Sequence, residues 1–556
     1  MSYNNLQSKN SRRVTMNNLI SLLTTIVGTD YIFTSCEQVA EYNLGTFPHK
    51  NKNKIVIKPA STEQVQQIVK AINQYNLSND DSKFSINTLS SGKNWGYSAQ
   101  EPSFNNAILM KLSRIKQLDD YDHKQGTITL TPGITQQELY DYLQEQGGKF
   151  WMDATGSSPE CSIIGNTMER GFGHTEYGDH FNNVCSFEVI LADGSIINTG
   201  FKQFSKNGVV PVAADCYKWG IGPYVDGLFS QSNFGIVTKM TLWLMPKPEH
   251  FEAFFISIKD EDKIANLIDA LQPLKLNGII KSSAHIGNDH KAIQALSFYP
   301  WKKAKNQTPL PESIKNTLKK KFMVNAWSVS GAFYGTKAEV KVWKKILKQA
   351  IKPVTTDIKF IDQSTLNLAM KFKGILSLFT GIDFNTNIPL LEKVFRLKQG
   401  IPTNYFIPST YWRKTPPPKT IDGLDPTQDN VGLLWLAPIA PIDGQHVKTM
   451  VKIINAIQIK YGYEPGLSIT LLTERTLDCV VSLVYDRDIE GEDAKALACH
   501  DEMFEELTNE GYFPYRLSSH AHEAFSEIES SLSPVLRSLK QQLDPENLLS
   551  PKKYNI

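Results

Sequence analysis

The chain is poor in the features that mark metal, membrane and nucleic-acid proteins. Its six cysteines (Cys36, Cys161, Cys185, Cys216, Cys479 and Cys499) are scattered and form no CxxC. That argues against a zinc site and against a disulfide framework. No apolar run reaches the ~18 residues of a membrane helix, so no membrane partner is expected. Charge of neither sign is in excess: 59 Lys and Arg stand against 57 Asp and Glu, for a net charge of +2. The longest basic run, Lys319-Lys320-Lys321, reads as a solvated helix face, so nucleic acid is not an expected partner either. No internal repeat or low-complexity tract stands out. What remains is a chain of 556 residues, 41% hydrophobic and 21% charged. It is ordinary in composition and long enough that two domains are expected.

At the N-terminus, Ser11-Arg12-Arg13 ahead of residues 19–28 faintly resembles a twin-arginine export signal. The apolar segment is short and no small-residue cleavage site follows cleanly. An amphipathic helix over 16–26, ended by Gly28, and a cytoplasmic location are therefore the expectation.

Further on, residues 54–58 form a short strand stopped by Pro59. Ser61 and Gln64 read as a capping box for a helix continuing to residue 74. Strands follow at 84–89, 107–112 and 126–131, and a helix at 136–146. A strand over 239–245 ends at Pro246-Lys247-Pro248, which marks a boundary. Beyond it, strand-like runs (254–258, 326–334, 432–438, 467–472, 478–485) alternate with helices (260–271, 337–350, 444–461, 493–510). The first region reads as α+β and the second as a separate α/β layer domain.

Between the first strands, Ser91-Gly92-Lys93-Asn94-Trp95-Gly96 exposes successive backbone N–H groups among small residues, which suits a pyrophosphate. It matches neither a P-loop nor a dinucleotide fingerprint. A second cluster gathers Gly165-Asn166, Arg170-Gly171-Phe172-Gly173 and Tyr177-Gly178-Asp179-His180, and a third spans residues 220–237. Three separated clusters imply one long ligand touched at many places.

These stretches, the GPYVDG and FSQSN elements (222–227 and 229–233) and the terminal Leu543-Asp544-Pro545-Glu546-Asn547 resemble the vanillyl-alcohol oxidase/4-cresol dehydrogenase family of flavoproteins. The likeness covers about residues 20–250 and 400–556. It implies a two-part FAD-binding domain of the PCMH type (1–248 and 511–556) around a cap, or substrate, domain (249–510). It also implies FAD held by Ser91, Gly92, Lys93, Asn94, Trp95, Gly96, Ser162, Gly165, Asn166, Arg170, Gly171, Gly173, Tyr177, Gly178, Asp179, His180, Gly235, Ile236 and Val237. A para-substituted phenol, 4-alkylphenol or 4-hydroxybenzyl alcohol in type, would lose a benzylic hydride to flavin N5 through a quinone-methide-like intermediate. Oxygen or an electron-transfer protein would take the electrons, and a homodimer or larger assembly is expected. Tyr97, Tyr515 and Arg516 match the family's phenolate-binding residues, and a guanidinium beside phenolic hydroxyls suits that task.

The chain departs from the family at His174 (usually tyrosine), at Glu176 (usually proline) and at Ser157, where alcohol-oxidising members carry an acid. Asp153 or Glu160 could stand in for that acid. Leu433 takes the place of a flavin-linking histidine, so FAD is expected to be non-covalent, with Tyr411 the alternative link. Asp179 and His180 read as a hydrogen-bonded corner rather than an acid/base pair. Two other functions remain open on these residues. One is the same fold oxidising a 2-hydroxy acid or a sugar; the other is a flavin-binding subunit without turnover. No metal is expected.

Overall fold

The computed structural model describes residues 15–380 and 382–556; Ser11, Arg12 and Arg13 lie outside them. The first helix runs Met16–Val27, with Thr15 accepting from the Asn18 N–H. The helix Thr62–Leu77 begins as its sequence suggests, the Ser61 hydroxyl accepting from the Gln64 N–H. The reciprocal half of the box slips by one residue: Gln64 Oε1 accepts from the N–H of Ala60 rather than Ser61, at 2.7 Å.

The N-terminal region contains two sheets. In the first, the strands lie in the order Ile32–Phe33, Asn53–Ile57, Ala107–Lys111, Ser85–Leu89. Its last three strands are parallel, and the helix Thr62–Leu77 covers their apolar face. The chain's end closes this sheet. Leu549 bridges Ile86 in parallel, with Ile86 N–H donating to Leu548 O at 2.7 Å and Ser550 N–H to Ile86 O at 3.0 Å. Buried Lys540 pins this tail by donating to Asp544, Asn233 O and Leu549 O at 2.6, 2.8 and 2.9 Å. The second sheet is antiparallel, ordered Leu118–Asp122, Thr127–Leu130, Ile236–Trp243, Val184–Ile190, Ile196–Asn198. Its central strand starts at Ile236, three residues ahead of the expected 239, so Ile236 and Val237 belong to the strand rather than to the preceding turn.

The third sheet draws all its strands from residues 250–486. Seven lie in the order Ile358–Ile361, His250–Ile258, Trp327–Gly335, Ala284–Asn288, Gly466–Leu471, Thr476–Asp486, Val431–Leu436, and an eighth, Ile439–Pro441, also pairs with Thr476–Asp486, every pairing antiparallel. Period-2 alternation decides its two faces. Ala284, Ile286, Leu467, Ile469, Leu471, Leu477, Cys479, Val481 and Leu483 bury into one core with the helices Ile264–Leu276, Gly444–Lys460 and Glu492–Asn509. At roughly 1.5–3 kcal/mol for each large aliphatic side chain, that core holds the helices on one face. The intervening residues His285, Ser468, Thr470, Asp478, Val480 and Ser482 must therefore point the other way. That face turns toward the glycine turns of the N-terminal region across a cavity. Among the elements that went unread in the sequence are the strand Ala284–Asn288 and the helices Asp289–Leu296, Gln363–Thr380 and Phe384–Leu397.

Candidate active site

A cavity of ≈ 650 Å³ lies between the N-terminal sheets and the 250–486 sheet. Many of the residues singled out in the sequence line it: Ser91, Gly92, Lys93, Asn94, Tyr97, Ser162, Gly165, Asn166, Gly171, Gly235, Ile236, Val237, Tyr515 and Arg516. The first glycine turn follows directly on the strand Ser85–Leu89, with Gly92 at φ +80°. The second opens the helix Ile163–Met168, whose cap, Ser162, accepts from Gly165 N–H. The two turns are tied together, Ser162 N–H donating to Ser91 Oγ at 3.0 Å. Gly165 allows this approach, because a Cβ there would lie 2.1 Å from Ser90 Oγ.

The remaining candidates support the lining from behind. Trp95 is buried against Ile407, Trp412 and Leu433, and its indole donates to Asp425 at 3.3 Å. Gly96 makes room for Trp435, whose ring a Cβ would meet at 2.7 Å. Arg170 donates to Ser230 at 2.7 Å. Gly173 N–H donates to Gly178 O at 2.9 Å. Asp179 accepts from Asn182 N–H, and Tyr177 packs beside Met245 and Ala332. His180 sits between Asn166 Oδ1 at 2.7 Å and Asp153 Oδ2 at 2.8 Å.

Neither acid considered for the loop 153–160 is free. Asp153 also accepts from the N–H groups of His174 and Thr175. Burial favours its neutral form, but the hydrogen bond from His180 and the imidazole beside it outweigh burial and hold its carboxyl low. Glu160 is exposed and pairs with Lys93 at 2.9 Å. Ser157 shares a hydrogen bond with Cys161 Sγ at 2.7 Å. Glu176 pairs with Lys281 at 3.2 Å.

At one end of the cavity the chain's distant parts meet. The Arg516 guanidinium lies over the Tyr97 ring, 4.3 Å from its centre. Tyr97 and Tyr515 interact through their hydroxyls. Burial raises the pKa of Tyr97 to about 12, against the opposing pull of Arg516 and Tyr515. Backbone bonds hold the group in place: Ser519 N–H to Tyr97 O at 2.9 Å, Tyr515 N–H to Ala437 O at 3.1 Å and Gln231 to Tyr515 O at 2.8 Å.

Glu169, unread in the sequence, underpins this end. It lies 3.8 Å from Arg516, 2.7 Å from Lys553 and 2.6 Å from the Tyr554 hydroxyl. Burial works against its charge, but Lys553 and Arg516 prevail and bring its pKa to about 2. The Met168-Glu169-Arg170 run before Gly171 and the Lys553-Tyr554 pair were the available signals, and neither separates a buried cluster from surface charge. Asp478 is buried beside the same tyrosines, with no cation paired to its carboxyl among the described residues. Burial raises its pKa to about 8, with a weaker opposing pull from Thr470 across the strand pair.

Farther along the cavity, His174 and His285 stack at 4.0 Å and 13°. His174 Nε2 faces Gly156, where a Cβ would meet it at 3.3 Å. Buried Lys398 lies 3.0 Å from His285 Nδ1 and donates to Ser283 O at 2.6 Å. His285 Nδ1 also faces Ser283 O at 3.2 Å, and burial lowers the pKa of Lys398 to about 7. Burial, then Lys398, lowers the pKa of His174 to about 3. Tyr411 does not line the cavity; its hydroxyl donates to Asp429. Leu433 is fully buried.

A cavity of this size, flanked by two linked glycine turns, accommodates a dinucleotide. The buried hydroxyl of Ser232 and Arg516 Nε have no hydrogen-bond partner among the described residues, and both residues line that space. The fold and site thus define an FAD-dependent oxidoreductase. A family model described as an FAD binding domain matches residues 53–200. The 1'-carboxy-chondrochloren decarboxylase of Chondromyces crocatus is 33% identical over 532 residues, covering 96% of each chain. The flavoprotein subunit of 4-cresol dehydrogenase [hydroxylating] of Pseudomonas putida is 28% identical, covering 97% of this chain and 95% of its own. The 4-ethylphenol oxidase of Gulosibacter chungangensis, in its isoeugenol complex, superposes with a TM-score of 0.85 at 25% identity over 97% of both chains. The chain belongs to the vanillyl-alcohol oxidase/4-cresol dehydrogenase family of FAD-linked oxidoreductases. Among the described residues no helix is long and apolar enough to cross a membrane.

Proposed function

We propose that this protein oxidises a para-substituted phenol at its benzylic carbon. The reading rests above all on the meeting of Tyr97, Tyr515 and Arg516 at one end of the cavity. Removal of the phenolic proton makes the ring electron-rich, so that loss of a benzylic hydride leaves a quinone methide rather than a bare cation. The Tyr97 and Tyr515 hydroxyls donate to the phenolate oxygen, and Arg516 sets a fixed positive charge beside it. Asp478, protonated at neutral pH through burial, adds no opposing charge there. Bound FAD supplies the hydride acceptor. The turns at Ser91–Asn94 and Gly165–Asn166 would hold its phosphates.

In place of the carboxylate that some relatives carry near the flavin, this chain offers the neutral His174–His285 pair and Ser157. Each neutral imidazole of the pair carries one N–H donor and one acceptor nitrogen. FAD is held non-covalently on this reading, because Tyr411 is engaged by Asp429 outside the cavity and Leu433 offers no nucleophile. Flavin that stays with acid-precipitated protein contradicts that part. A homodimer or larger assembly and a separate electron acceptor complete the proposal. The test is anaerobic addition of 4-alkylphenols, 2-hydroxy acids and sugars to the purified holoenzyme, followed by flavin bleaching. Bleaching by phenols alone supports the reading, and bleaching only by another donor class overturns it. One relative is named for decarboxylation, so released CO2 is measured alongside.

A further inference from the structure

We propose that Lys291 and the hydroxyl-lined face around it form an anion subsite. It binds a carboxylate carried by the phenolic substrate a few bonds beyond its para carbon. The inference rests on the phenol reading and names the substrate class more narrowly.

Lys291 stands in the first turn of the helix Asp289–Leu296 and lines the cavity. Its ammonium donates to Ser482 Oγ at 3.2 Å, and no carboxylate of the described residues lies within ion-pair distance. Several cations nearby are treated otherwise: Lys93, Lys315, Lys319 and Lys553 each face a carboxylate, while Lys398 is held by Ser283 O and His285 Nδ1. The acid on its own helix, Asp289, is committed to Lys319 at 2.7 Å. Desolvating a cation without a counter-ion is costly unless an anion arrives to pair with it. Burial alone lowers the pKa of Lys291, to about 8.

The surroundings point the same way. Ser328, Ser330, Ser468, Thr470 and Ser482 all line the cavity. The strand register sets Gly287 between Ser328 and Ser468, and His285 between Ser330 and Thr470. Such hydroxyls donate readily to a carboxylate and are wasted on an alkyl chain. The spacing also fits. Asp478 marks the tyrosine end of the strand Thr476–Asp486, and Ser482 lies four residues farther on the same face. At ~3.3 Å per residue that is on the order of 13 Å, enough for a phenol ring and a short acidic side chain. With one lysine and only neutral hydroxyls beside it, a single negative charge is matched and a phosphate dianion is not.

The test compares wild-type holoenzyme with Lys291→Met and Lys291→Arg. Dissociation constants for 4-ethylphenol and 3-(4-hydroxyphenyl)propanoate are read by calorimetry, and flavin reduction by both phenols is followed anaerobically. Lys291→Met is expected to weaken binding of the propanoate ten- to a hundredfold and leave 4-ethylphenol unchanged. Lys291→Arg is expected to restore most of the loss. Because the substitution removes an unpaired charge, the Met variant should melt no lower than wild type. Equal effects on the two phenols, or no effect on the propanoate, overturn the subsite. Failure of the phenol reading shows separately, as no flavin bleaching by either phenol in the wild type. Calorimetry still judges the subsite in that case, because it reads binding and not turnover.

Discussion

Replacing Arg516 by alanine is the most direct trial of the proposed site. Arg516 lies 4.3 Å from the centre of the Tyr97 ring, so a phenolate held by Tyr97 and Tyr515 would sit at a comparable distance from its charge. At an effective dielectric of about 20, a unit charge pair at that separation is worth about 4 kcal/mol. If most of that acts only as the phenolate develops, the loss corresponds to roughly a thousandfold in rate. Removing one preorganised donor from other sites costs a similar 10²–10³-fold. The fold should tolerate the change, because Glu169 keeps Lys553 and Tyr554 as partners. The expected result is a flavin-loaded variant with near-normal melting whose anaerobic reduction by 4-ethylphenol is 10²–10³-fold slower. Arg516→Lys keeps the charge but loses the flat contact with Tyr97, so an intermediate loss of about tenfold is expected. A flavin-loaded Arg516→Ala enzyme reduced within threefold of the wild-type rate refutes the assignment.

Three further outcomes follow from the same geometry. As pH rises through about 8, ionisation of Asp478 places a second negative charge beside the tyrosine pair. The half-saturating phenol concentration should then climb in wild type and stay flatter in Asp478→Asn, measured by flavin reduction across pH 6–9 at roughly unit intervals. Working against burial, Lys553 and Arg516 bring Glu169 from its ordinary pKa of 4.5 to about 2. Its contribution, about 3 kcal/mol by linkage, is present above pH 4.5 and lost as pH falls through 2. Urea midpoints at low and neutral pH should therefore diverge less in Glu169→Gln than in wild type, and equal divergence contradicts the assignment. Gly96→Ala drives a Cβ to 2.7 Å from the Trp435 ring and should lower stability by about 1–3 kcal/mol. It should also disturb phenol binding through the Trp435–Tyr97 contact, where the rings lie 5.3 Å apart. Unchanged melting and binding in that variant removes Trp435 from the account.

Much of the fold was readable because local rules agreed with the final packing. Ser61 and Thr135 cap their helices by accepting the N–H groups of Gln64 and Glu138. The glycine turns come where a backbone must approach another chain segment, as Gly165 does at Ser90 and Gly173 at Asp153. The strand Ala284–Asn288 was not readable, since Ala-His-Ile-Gly-Asn has neither a β-branched run nor an apolar alternation longer than two residues. It pairs at mid-sheet only because its neighbours Trp327–Gly335 and Gly466–Leu471 leave a place between them. That missing strand hid His285, and with it the histidine pair and the setting of Lys398.

Residue types and short-range spacing marked the glycine-rich turns and the proline break near residue 248, whereas the family resemblance was needed to single out Tyr97, Tyr515 and Arg516. The turns and the break depend on backbone conformation, which is written locally. Which charges are paired was decided only in three dimensions. Asp153 and Glu160 read alike as loop acids and Glu169 drew no reading at all, yet one is held by His180, one by Lys93 and one by Lys553 and Tyr554. Lys291 reads like any helix lysine, and it becomes exceptional only where the folded chain surrounds it with hydroxyls and sets no carboxylate beside it. The energy of a charge depends on what surrounds it within a few ångströms, and those surroundings come from segments hundreds of residues apart.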